Sequence, residues 1–349
     1  MTPRLTASLV ALTGCYGRRP PPVPMKTPVA IEAINSEYDD VNASDPGIPY
    51  RSTLIFSTNR GSKGADFDLW QTALEIARPD GGESRPGPVK AFEPPTPLSP
   101  ELMTNKNERS PIMLVDKNDW FGERGILAFA SDRDGGKGGF DLYATPCIGS
   151  GQYYGGCSPS PTLLPLALNT PADEMYLSRP FAPRTVLFAS NRDAVMAAGP
   201  THGPNDIYLA RWKVPAGPAP TYASSPPSET FLNAPSSILS PPEELHRVDE
   251  LSSEGDDTAP FVYKTGGTPE VVFVSDRPGG IGQHDLYCSR FTNGAWQAPK
   301  ILSPFSSAHD ELRPIVMDVN GTRYMLFSSN RPGGKGGYDL YAVGYSGCR

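Results

Sequence analysis

The chain has 349 residues, with 38% hydrophobic and 9% aromatic residues and a formal net charge of −7. This length is enough for one large domain or two average ones, and the 40 prolines and 35 glycines are typical of many turns rather than of long helices. The negative charge and the lack of a basic cluster argue against a nucleic-acid-binding surface. No run of about 18 apolar residues could span a bilayer as a helix.

The first residues have the layout of a secretory leader. One positive charge, Arg4, precedes a short apolar region that ends in the sequence LTGC at Cys15. This sequence resembles the lipobox of bacterial lipoproteins, which implies lipidation of Cys15; an ordinary signal peptide and a wrongly chosen start codon are the alternatives. We interpret residues 1–15 as a lipoprotein signal peptide with its lipobox. The Pro-rich residues 16–28 are then an extended, semi-rigid tether.

One pattern then recurs five times along the chain. The copies are FSTNRGSKGADFDLW at 56–70, FASDRDGGKGGFDLY at 129–143, FASNRDAVMAAGPTHGPNDIY at 188–208, FVSDRPGGIGQHDLY at 273–287 and FSSNRPGGKGGYDLY at 327–341. In four copies the Asn or Asp before the arginine lies nine positions ahead of a second Asp, and the third copy has six additional residues. Such a repeat is typical of stacked supersecondary units and has to be interpreted before any other feature.

Each copy predicts an antiparallel hairpin. The apolar run up to FxSN or FxSD indicates a buried strand, the Gly-rich segment a turn, and DLY or DIY the start of a second strand. We expect the arginine and the two acidic or amide groups to bracket the turn through charge-assisted hydrogen bonds. Five equal copies favour a structural role over a catalytic one. The bracket residues are Asn59, Arg60, Asp68, Asp132, Arg133, Asp141, Asn191, Arg192, Asp206, Asp276, Arg277, Asp285, Asn330, Arg331 and Asp339.

Two more strands complete the repeating unit. An acidic or amide pair followed by Pro precedes each hairpin and leads into an apolar segment, as at Asn107, Glu108 and Pro111. After the fourth hairpin, the sequence NGAWQAPKILS predicts one further strand. The fifth copy lacks that last strand, and residues 28–35 (PVAIEAIN) can supply it. The ring would then close without an exposed edge.

Together, the patterns W..P..L, DE..P and LxFSSNRPGGxGGxDLY resemble the TolB-type, WD40-like β-propeller repeat of bacterial envelope proteins, including propeller domains of OmpA-family proteins. The resemblance covers the chain from about Ala30 to the C-terminus, and the third copy departs from it through its longer turn. It implies an all-β fold over residues 29–349, a five-bladed β-propeller of four-stranded antiparallel blades closed by an N-terminal strand.

The cysteines suggest disulfides. If Cys15 is lipidated, four cysteines remain, an even number in an oxidising compartment. Cys147 and Cys157 flank a short segment and are the favoured local pair, which leaves Cys288 and Cys348 to bond each other. Sequence alone does not fix the connectivity, and two free thiols are the alternative for the second pair. No CxxC sequence indicates a redox motif or a zinc site.

No catalytic motif, metal site or cofactor site is predicted. The GGKGG turns lack the spacing of a phosphate-binding loop. The segment that begins at Asp132 starts like a calcium loop but has no Glu to close the ligand set. The four histidines are scattered, and the GxSxG sequence of hydrolases is absent.

These observations favour a non-catalytic envelope lipoprotein that acts as a protein-binding or scaffold propeller. It would be monomeric and anchored through Cys15 alone in the outer membrane, on the periplasmic face or at the cell surface. The resemblance implies envelope proteins of the Pal/OmpA type as partners, and no nucleic acid. Pro-rich insertions at 77–107, 146–162 and 214–249 are interpreted as recognition loops. The alternative is a carbohydrate-active five-bladed propeller enzyme, with carboxylates around its channel, or a glycan-binding module.

Overall fold

The computed structural model describes residues 26–45, 53–76, 89–91, 94–115, 124–150, 153–182, 184–198, 204–213, 238–319 and 322–349. The predicted signal peptide with Cys15, and most of the predicted tether, lie outside these residues. Within them the chain forms antiparallel sheets and one short helix. In the part described, no helix combines the length and apolar character that a membrane crossing needs.

The strands fall into five blades, preceded by β1 (Val29–Ala30). The first blade contains β2 (Asp40–Ser44), β3 (Thr53–Thr58), β4 (Asp68–Ile76), β5 (Val89–Ala91) and β6 (Thr96–Pro97). The second contains β7 (Glu108–Val115), β8 (Arg124–Ser131), β9 (Asp141–Ser150), β10 (Tyr153–Cys157) and β11 (Thr162–Leu163). The third contains β12 (Glu174–Met175), β13 (Thr185–Ser190), α1 (Arg192–Ala198), β14 (Asp206–Arg211) and β15 (Glu244–Arg247). The fourth contains β16 (Asp257–Thr265), β17 (Thr268–Ser275), β18 (Asp285–Thr292), β19 (Ala295–Trp296) and β20 (Lys300–Ile301), and the fifth β21 (Glu311–Val319), β22 (Thr322–Ser329) and β23 (Asp339–Gly344).

The strand order confirms the predicted five-bladed propeller. Every blade is a meander, as in the order β2-β3-β4-β5 of the first blade and β21-β22-β23-β1 of the last. First strands of adjacent blades contact one another, β2 with both β7 and β21 and β16 with β21. The five first strands, β2, β7, β12, β16 and β21, therefore surround the axis and are called the inner strands below.

The N-terminal strand closes the ring as predicted. In β1, Val29 pairs with Ala342 and Ala30 with Tyr341 of β23, so β1 is the fourth strand of the last blade. It is shorter than the predicted strand over 28–35, because the chain turns after Ile31, whose carbonyl accepts the Ile34 amide at 2.9 Å. The Asn35 side chain continues the pairing, since it both donates to and accepts from the backbone of Leu340, at 3.0 and 2.9 Å.

An arginine clamp holds each blade together at the hairpin. In the fifth blade, Arg331 donates to the buried Glu311 at the start of the inner strand and to the Phe305 carbonyl, at 2.6 and 2.7 Å. Its guanidinium carbon lies 4.9 Å from the ring centre of Phe327 and 5.3 Å from that of Tyr341. The same pairing recurs in every blade, as Arg60–Asp40 at 2.5 Å, Arg133–Glu108 at 2.9 Å, Arg192–Glu174 at 3.4 Å, Arg277–Asp257 at 2.5 Å and Arg331–Glu311 at 2.6 Å.

The other two members of the expected bracket have different partners. The Asn or Asp before each arginine accepts the amide of the residue before the inner strand, as Asn330 does from Asp310 at 2.9 Å. The second Asp caps the Gly-rich turn in the second, fourth and fifth blades, as Asp339 does for the amides of Lys335 and Gly336 at 2.8 and 3.0 Å. In the third blade α1 occupies the longer turn, and Asp206 is paired with Arg247 at 3.4 Å. The three groups thus connect three different places instead of bracketing one turn.

The Gly-rich turns allow close approach between blades. Gly333 has a φ of +103°, which side chains rarely adopt. A Cβ on Gly336 would overlap the Tyr38 carbonyl of the first blade, and one on Gly138 would overlap the Ala172 carbonyl. Glycine at these turns is therefore required by the packing of each blade against the next.

Both disulfides suggested by the sequence are present, between Cys147 and Cys157 and between Cys288 and Cys348. The first joins β9 to β10 within one blade. The second connects β18 of the fourth blade to the C-terminal segment that follows β23 of the fifth. The last blade is thus secured on both sides, by β1 and by this disulfide.

We expect Arg331→Ala to lower the free energy of unfolding by about 3 kcal/mol, because it leaves a buried carboxylate without its charged partner. Burial already raises the pKa of Glu311, while Ser307 and Arg331 oppose that rise. A carboxyl whose folded pKa lies above its unfolded value stabilises the fold below the unfolded pKa and loses that contribution as pH rises. Without Arg331 the folded pKa of Glu311 rises further, so ionised Glu311 destabilises the variant more. The decrease in unfolding free energy should therefore be larger at pH 8 than at pH 5. Urea unfolding at both pH values measures this. Arg211→Ala, at a half-exposed pair with Glu244, is the control and should cost less than about 1 kcal/mol; equal losses would contradict the clamp.

We also expect deletion of residues 1–35 to open the last blade, whereas deletion of residues 1–26 leaves it closed. The longer deletion removes β1 and the Asn35 amide, and so exposes the edge of β23. Limited proteolysis and size-exclusion chromatography of the two truncated proteins check this. Equal protease resistance would mean that β1 does not hold the ring.

Candidate functional site

One residue from each blade lies directly before its third strand, at the end of the channel where the inner strands begin. Its carbonyl accepts the amide of the acid that starts the next blade's inner strand, at 2.6 to 2.9 Å around the complete ring. These five residues, the mouth ring, are Phe67, Phe140, Asn205, His284 and Tyr338. The backbone at these positions is fixed by the fold, so their side chains are free to differ, and they are two phenyl rings, an amide, an imidazole and a phenol.

A second ring of polar side chains supports the first. In four blades the residue before the clamp acid accepts the mouth-ring amide of the preceding blade. The bonds are Phe67 to Asn107 at 3.2 Å, Phe140 to Asp173 at 2.8 Å, Asn205 to Asp256 at 2.7 Å and Tyr338 to Asp39 at 2.9 Å. In the remaining blade, Asp310 also contacts the His284 side chain, at 3.2 Å. Carboxylates therefore lie around the mouth with part of their hydrogen-bonding capacity used by the backbone.

His284 lies between two of these carboxylates. Its Nε2 is 3.5 Å from Asp256 and its Nδ1 is 3.2 Å from Asp310, which also accepts the Tyr338 hydroxyl at 2.9 Å. The hydrogen bond to Asp256 raises the pKa of His284 to about 9, with a further contribution from Asp310 and against the effect of burial. Burial raises the pKa of Asp256 and of Asp310, but hydrogen bonds and the charge of His284 outweigh it and leave both lowered. At neutral pH the mouth thus holds an imidazolium between two ionised carboxylates.

Deeper in the channel, Arg313 crosses the axis. It belongs to the fifth blade, yet its guanidinium carbon lies 5.2 Å from the Tyr176 ring of the third blade, and Nη2 approaches the Pro111 carbonyl of the second at 3.5 Å. The side chain is 1% exposed, and its Nε and Nη1 have no hydrogen-bond partner in the described part of the chain. Burial lowers the pKa of Arg313 to about 10, so it remains charged at neutral pH.

The residues at the Arg313 position have strained backbones in all five blades. Their φ values are +57° at Asn42, +54° at Ser110, +60° at Tyr176, +52° at Ala259 and +44° at Arg313. In the first, second, fourth and fifth blades the register shifts at this point, which identifies a β-bulge in the inner strand. Each such residue costs of order 1–3 kcal/mol, and the bulge changes the direction of its side chain. Arg313 of the fifth blade contacts residues of the second and third blades, so its side chain points towards the axis of the propeller.

A second arginine crosses the channel between other blades. Arg179 of the third blade lies 3.7 Å from Asp45 of the first and 5.3 Å from the Phe261 ring of the fourth. Burial lowers its pKa, and the charge of Asp45 opposes that change. Arg179 also acts electrostatically on Arg313, since its charge lowers the pKa of Arg313 further.

Arg109, the second residue of β7, lies nearest the mouth ring. Its guanidinium carbon is 3.8 Å from the Phe67 ring centre and 5.9 Å from that of Phe140. Burial lowers its pKa, against the opposing effects of Tyr176, Asp39 and Asp132. Arg109, Tyr176, Arg179 and Arg313 together form what we call the axial group, which occupies the channel behind the mouth ring.

The residues predicted from the sequence lie outside this site. The bracket arginines form the clamps, and the disulfides lie at the blade edges. Cys15 and parts of the predicted recognition insertions, residues 77–88, 92–93, 151–152 and 214–237, lie outside the described residues, so that recognition surface stays a prediction. Among the described residues no group of His, Cys, Asp and Glu side chains has the arrangement of a metal site.

Sequence reasoning missed the mouth ring and the axial group, although a signal for each was present. The residue before DLY or DIY differs in every copy but two, and the position two residues after the clamp acid ranges from Ala259 to Arg313. Variable positions inside an otherwise constant repeat indicate where the fold makes no demand.

No family model and no curated protein matches the chain. Several solved structures share its fold. An endo-arabinase from Bacteroides thetaiotaomicron superposes with a TM-score of 0.54 at 10% identity, covering 92% of this chain and 97% of that one. The GH43_1 enzyme from Xanthomonas citri complexed with xylotriose gives 0.55 at 10% identity, covering 93% and 92%. A thermostable family-43 glycoside hydrolase gives 0.52 at 8% identity, covering 90% and 92%. Identities this low establish the shared fold alone.

These likenesses correct the functional interpretation of the sequence. The TolB-type recognition, the description as a protein-binding lipoprotein and the prediction of a non-enzyme are wrong, because the solved structures that share the fold include a family-43 glycoside hydrolase, an endo-arabinase and a GH43_1 enzyme. The physical reason lies in the repeat itself. Its Phe, Arg, Asp and Tyr residues build the clamps and turns, so they specify a propeller blade without specifying what the channel does.

The raised pKa of His284 predicts a pH dependence of stability. Its folded value of about 9 exceeds the ordinary 6.5, so the stabilisation is complete below about pH 6.5 and is lost as pH rises to about 9. The difference in unfolding free energy between the wild type and His284→Gln should therefore shrink over that range. Thermal unfolding across pH 5 to about 10 measures it, with the half-exposed His246→Gln as control. A difference that does not change with pH would show that His284 is not charged by these contacts.

Proposed function

We propose that this protein is a carbohydrate-active propeller enzyme that binds a glycan at the mouth ring. The observation that carries the proposal is the convergence of aromatic faces, an amide, an imidazolium and carboxylates, one side chain from each blade, at one end of the channel. Sugar rings present both apolar C–H faces and hydroxyl groups, and pockets that bind small molecules combine apolar walls with a few placed polar groups.

The fold likeness supports the same class of ligand. The proteins that share this architecture over nine-tenths of the chain are described as an endo-arabinase, a xylotriose-bound enzyme and a family-43 glycoside hydrolase. Because their identity to this chain is at most 10% in these three cases, the likeness suggests a class of substrate and assigns no role to an individual residue. The catalytic and binding residues have to be proposed from the geometry of the mouth ring.

The mouth contains groups suited to glycoside hydrolysis. Cleavage needs a proton for the leaving oxygen and a base for the attacking water. His284 holds the transferable proton at neutral pH, and the ring of carboxylates around it includes Asp39 and Asp173 from other blades. The water oxygen bonds to the anomeric carbon as the glycosidic C–O bond breaks. The leaving oxygen takes the proton of His284, and the water proton passes to a mouth carboxylate.

We expect purified protein to bind and cleave xylo- or arabino-oligosaccharides, and His284→Gln to lower the turnover number about 100-fold or more, because general acid catalysis contributes on that order. Glutamine retains N–H donors without the charge, and thermal unfolding checks that the variant is folded. Turnover of the wild type should fall as pH rises through about 9, where His284 loses its proton. Chromatography of the products measures cleavage and turnover, and calorimetry measures binding.

His246→Gln is the matched control and should keep wild-type turnover. Binding without any cleavage would overturn the hydrolytic step and leave a glycan-binding module. The absence of both binding and cleavage for neutral and acidic oligosaccharides would overturn the proposal as a whole.

A further inference from the structure

Among the cations of the described channel, Arg109 stands out because its guanidinium has no hydrogen-bond acceptor. In the part of the chain that the structure describes, neither a hydrogen bond nor an ion pair involves its side chain, and its Nε is buried without a partner. By contrast, each clamp arginine meets a carboxylate, a hydroxyl and a carbonyl, as Arg133 does with Glu108, Ser131 and Leu102. An arginine has five N–H donors, so Arg109 retains a donor edge for a partner that the chain does not supply.

The blade itself does not need an arginine at this position. The equivalent second residues of the other inner strands are Val41, Met175, Thr258 and Leu312. All four blades form the same clamp and the same inter-blade bonds with these smaller or uncharged side chains. A charged group costs free energy when it is withdrawn from water without a counter-charge. A leucine, as at Leu312, would fill this position without the free-energy cost of burying an unpaired charge.

The position of Arg109 is fixed by aromatic stacking. The guanidinium carbon of Arg109 lies 3.8 Å from the centre of the Phe67 ring. The N–H groups lie in the plane of the guanidinium and form a planar fork, so a ring stacked on the face of that plane does not accept them. Stacking therefore holds the fork in place and leaves its N–H edge available for two parallel hydrogen bonds to a carboxylate. Phe67 is a mouth-ring residue, so the fork is part of the proposed glycan site.

The carboxylates nearby do not neutralise Arg109. Asp39 and Asp132 act on it electrostatically, but neither lies within ion-pair distance. Asp39 accepts the Tyr338 amide, and Asp132 accepts both the backbone and side-chain N–H groups of Asn107. Asp256 and Asp310 share the charge of His284. Behind Arg109, burial raises the pKa of Tyr176, while the charges of both Arg109 and Arg313 oppose that rise.

We infer that the glycan taken at the mouth ring carries a carboxylate, as in a uronic acid residue, and that the Arg109 fork binds it. This inference rests on the proposed function, because it names the class of sugar for that same site. The carboxylate accepts two parallel N–H bonds from Arg109, while its sugar ring lies against the aromatic side chains of the mouth. Arg109 acts here in binding and in the choice of substrate.

The experiment compares three probes by calorimetry on the full-length protein: trigalacturonate, xylotriose and inorganic phosphate. Trigalacturonate should bind at least about tenfold more tightly than xylotriose, since a charge-assisted bidentate pair is stronger than a neutral hydrogen bond. Its affinity should fall with added salt. Arg109→Gln should reduce the affinity for trigalacturonate about tenfold to 100-fold and leave that for xylotriose within about twofold. Arg109→Lys keeps the charge without the fork and should fall between the two.

Arg211→Gln, on the outer part of the third blade and half-exposed, is the matched control and should bind like the wild type. Thermal unfolding of each variant establishes that it is folded. If xylotriose binds as tightly as trigalacturonate, the inference is wrong while the proposed function stands. Phosphate binding as tight as that of trigalacturonate would show a simple anion site and overturn the sugar specificity. If neither sugar binds, both the inference and the proposed function fail.

Discussion

The structure depends on the contact between a buried acid and an arginine held between two aromatic rings. In each blade this arginine touches four separate parts of the chain: the inner strand through its acid, the preceding turn through a carbonyl, and the second and third strands through their Phe and their Tyr or Trp. The acid would be costly to bury alone, and the guanidinium would be costly to bury without acceptors. Together they fix how the inner strand meets the hairpin, and that geometry is repeated around the ring.

This local construction explains why the blades tolerate unequal spacing. The contacts of a clamp lie within one blade and the turn that leads into it, and the mouth ring is joined to the next blade by short bonds at fixed positions, from its carbonyls and, in four blades, from its amides. Residues inserted beyond the third strand therefore leave the clamp unaffected. The same independence allows the chain to supply the last strand of the fifth blade from its N-terminus, because β23 requires a partner edge and not a particular connection.

Much of the fold could be predicted because the hairpin residues recur, with the same spacing in four of the five copies. The five copies, the four-strand unit and the closure by the N-terminal strand all follow from periodicity and turn residues. The partner of each arginine could not be obtained in the same way. Asp339 and Glu311 both have counterparts in every copy. The Asp lies eight residues after the arginine in four copies and the acid of the inner strand lies 18 to 25 residues before it, and a single sequence does not show which of them the arginine meets. Both acids are buried, Glu311 at 0% and Asp339 at 1% exposed, so only the geometry of the fold distinguishes them: Glu311 meets Arg331 at 2.6 Å, whereas Asp339 accepts the turn amides of Lys335 and Gly336.

The channel could not be predicted from the repeat for a related reason. A repeated residue serves the blade, which every propeller of this construction must build, so it says little about activity. The strained position of the inner strand illustrates the converse. Ala259 and Ser110 occupy it with small side chains, and the same backbone is formed there as at Arg313. The fold thus accepts almost any residue at this position, and a large buried cation whose N–H groups are only partly satisfied is not a requirement of folding. Residues that all blades share build the scaffold. Residues that differ between blades, such as Arg109, Tyr176 and Arg313, determine which ligand this channel can bind.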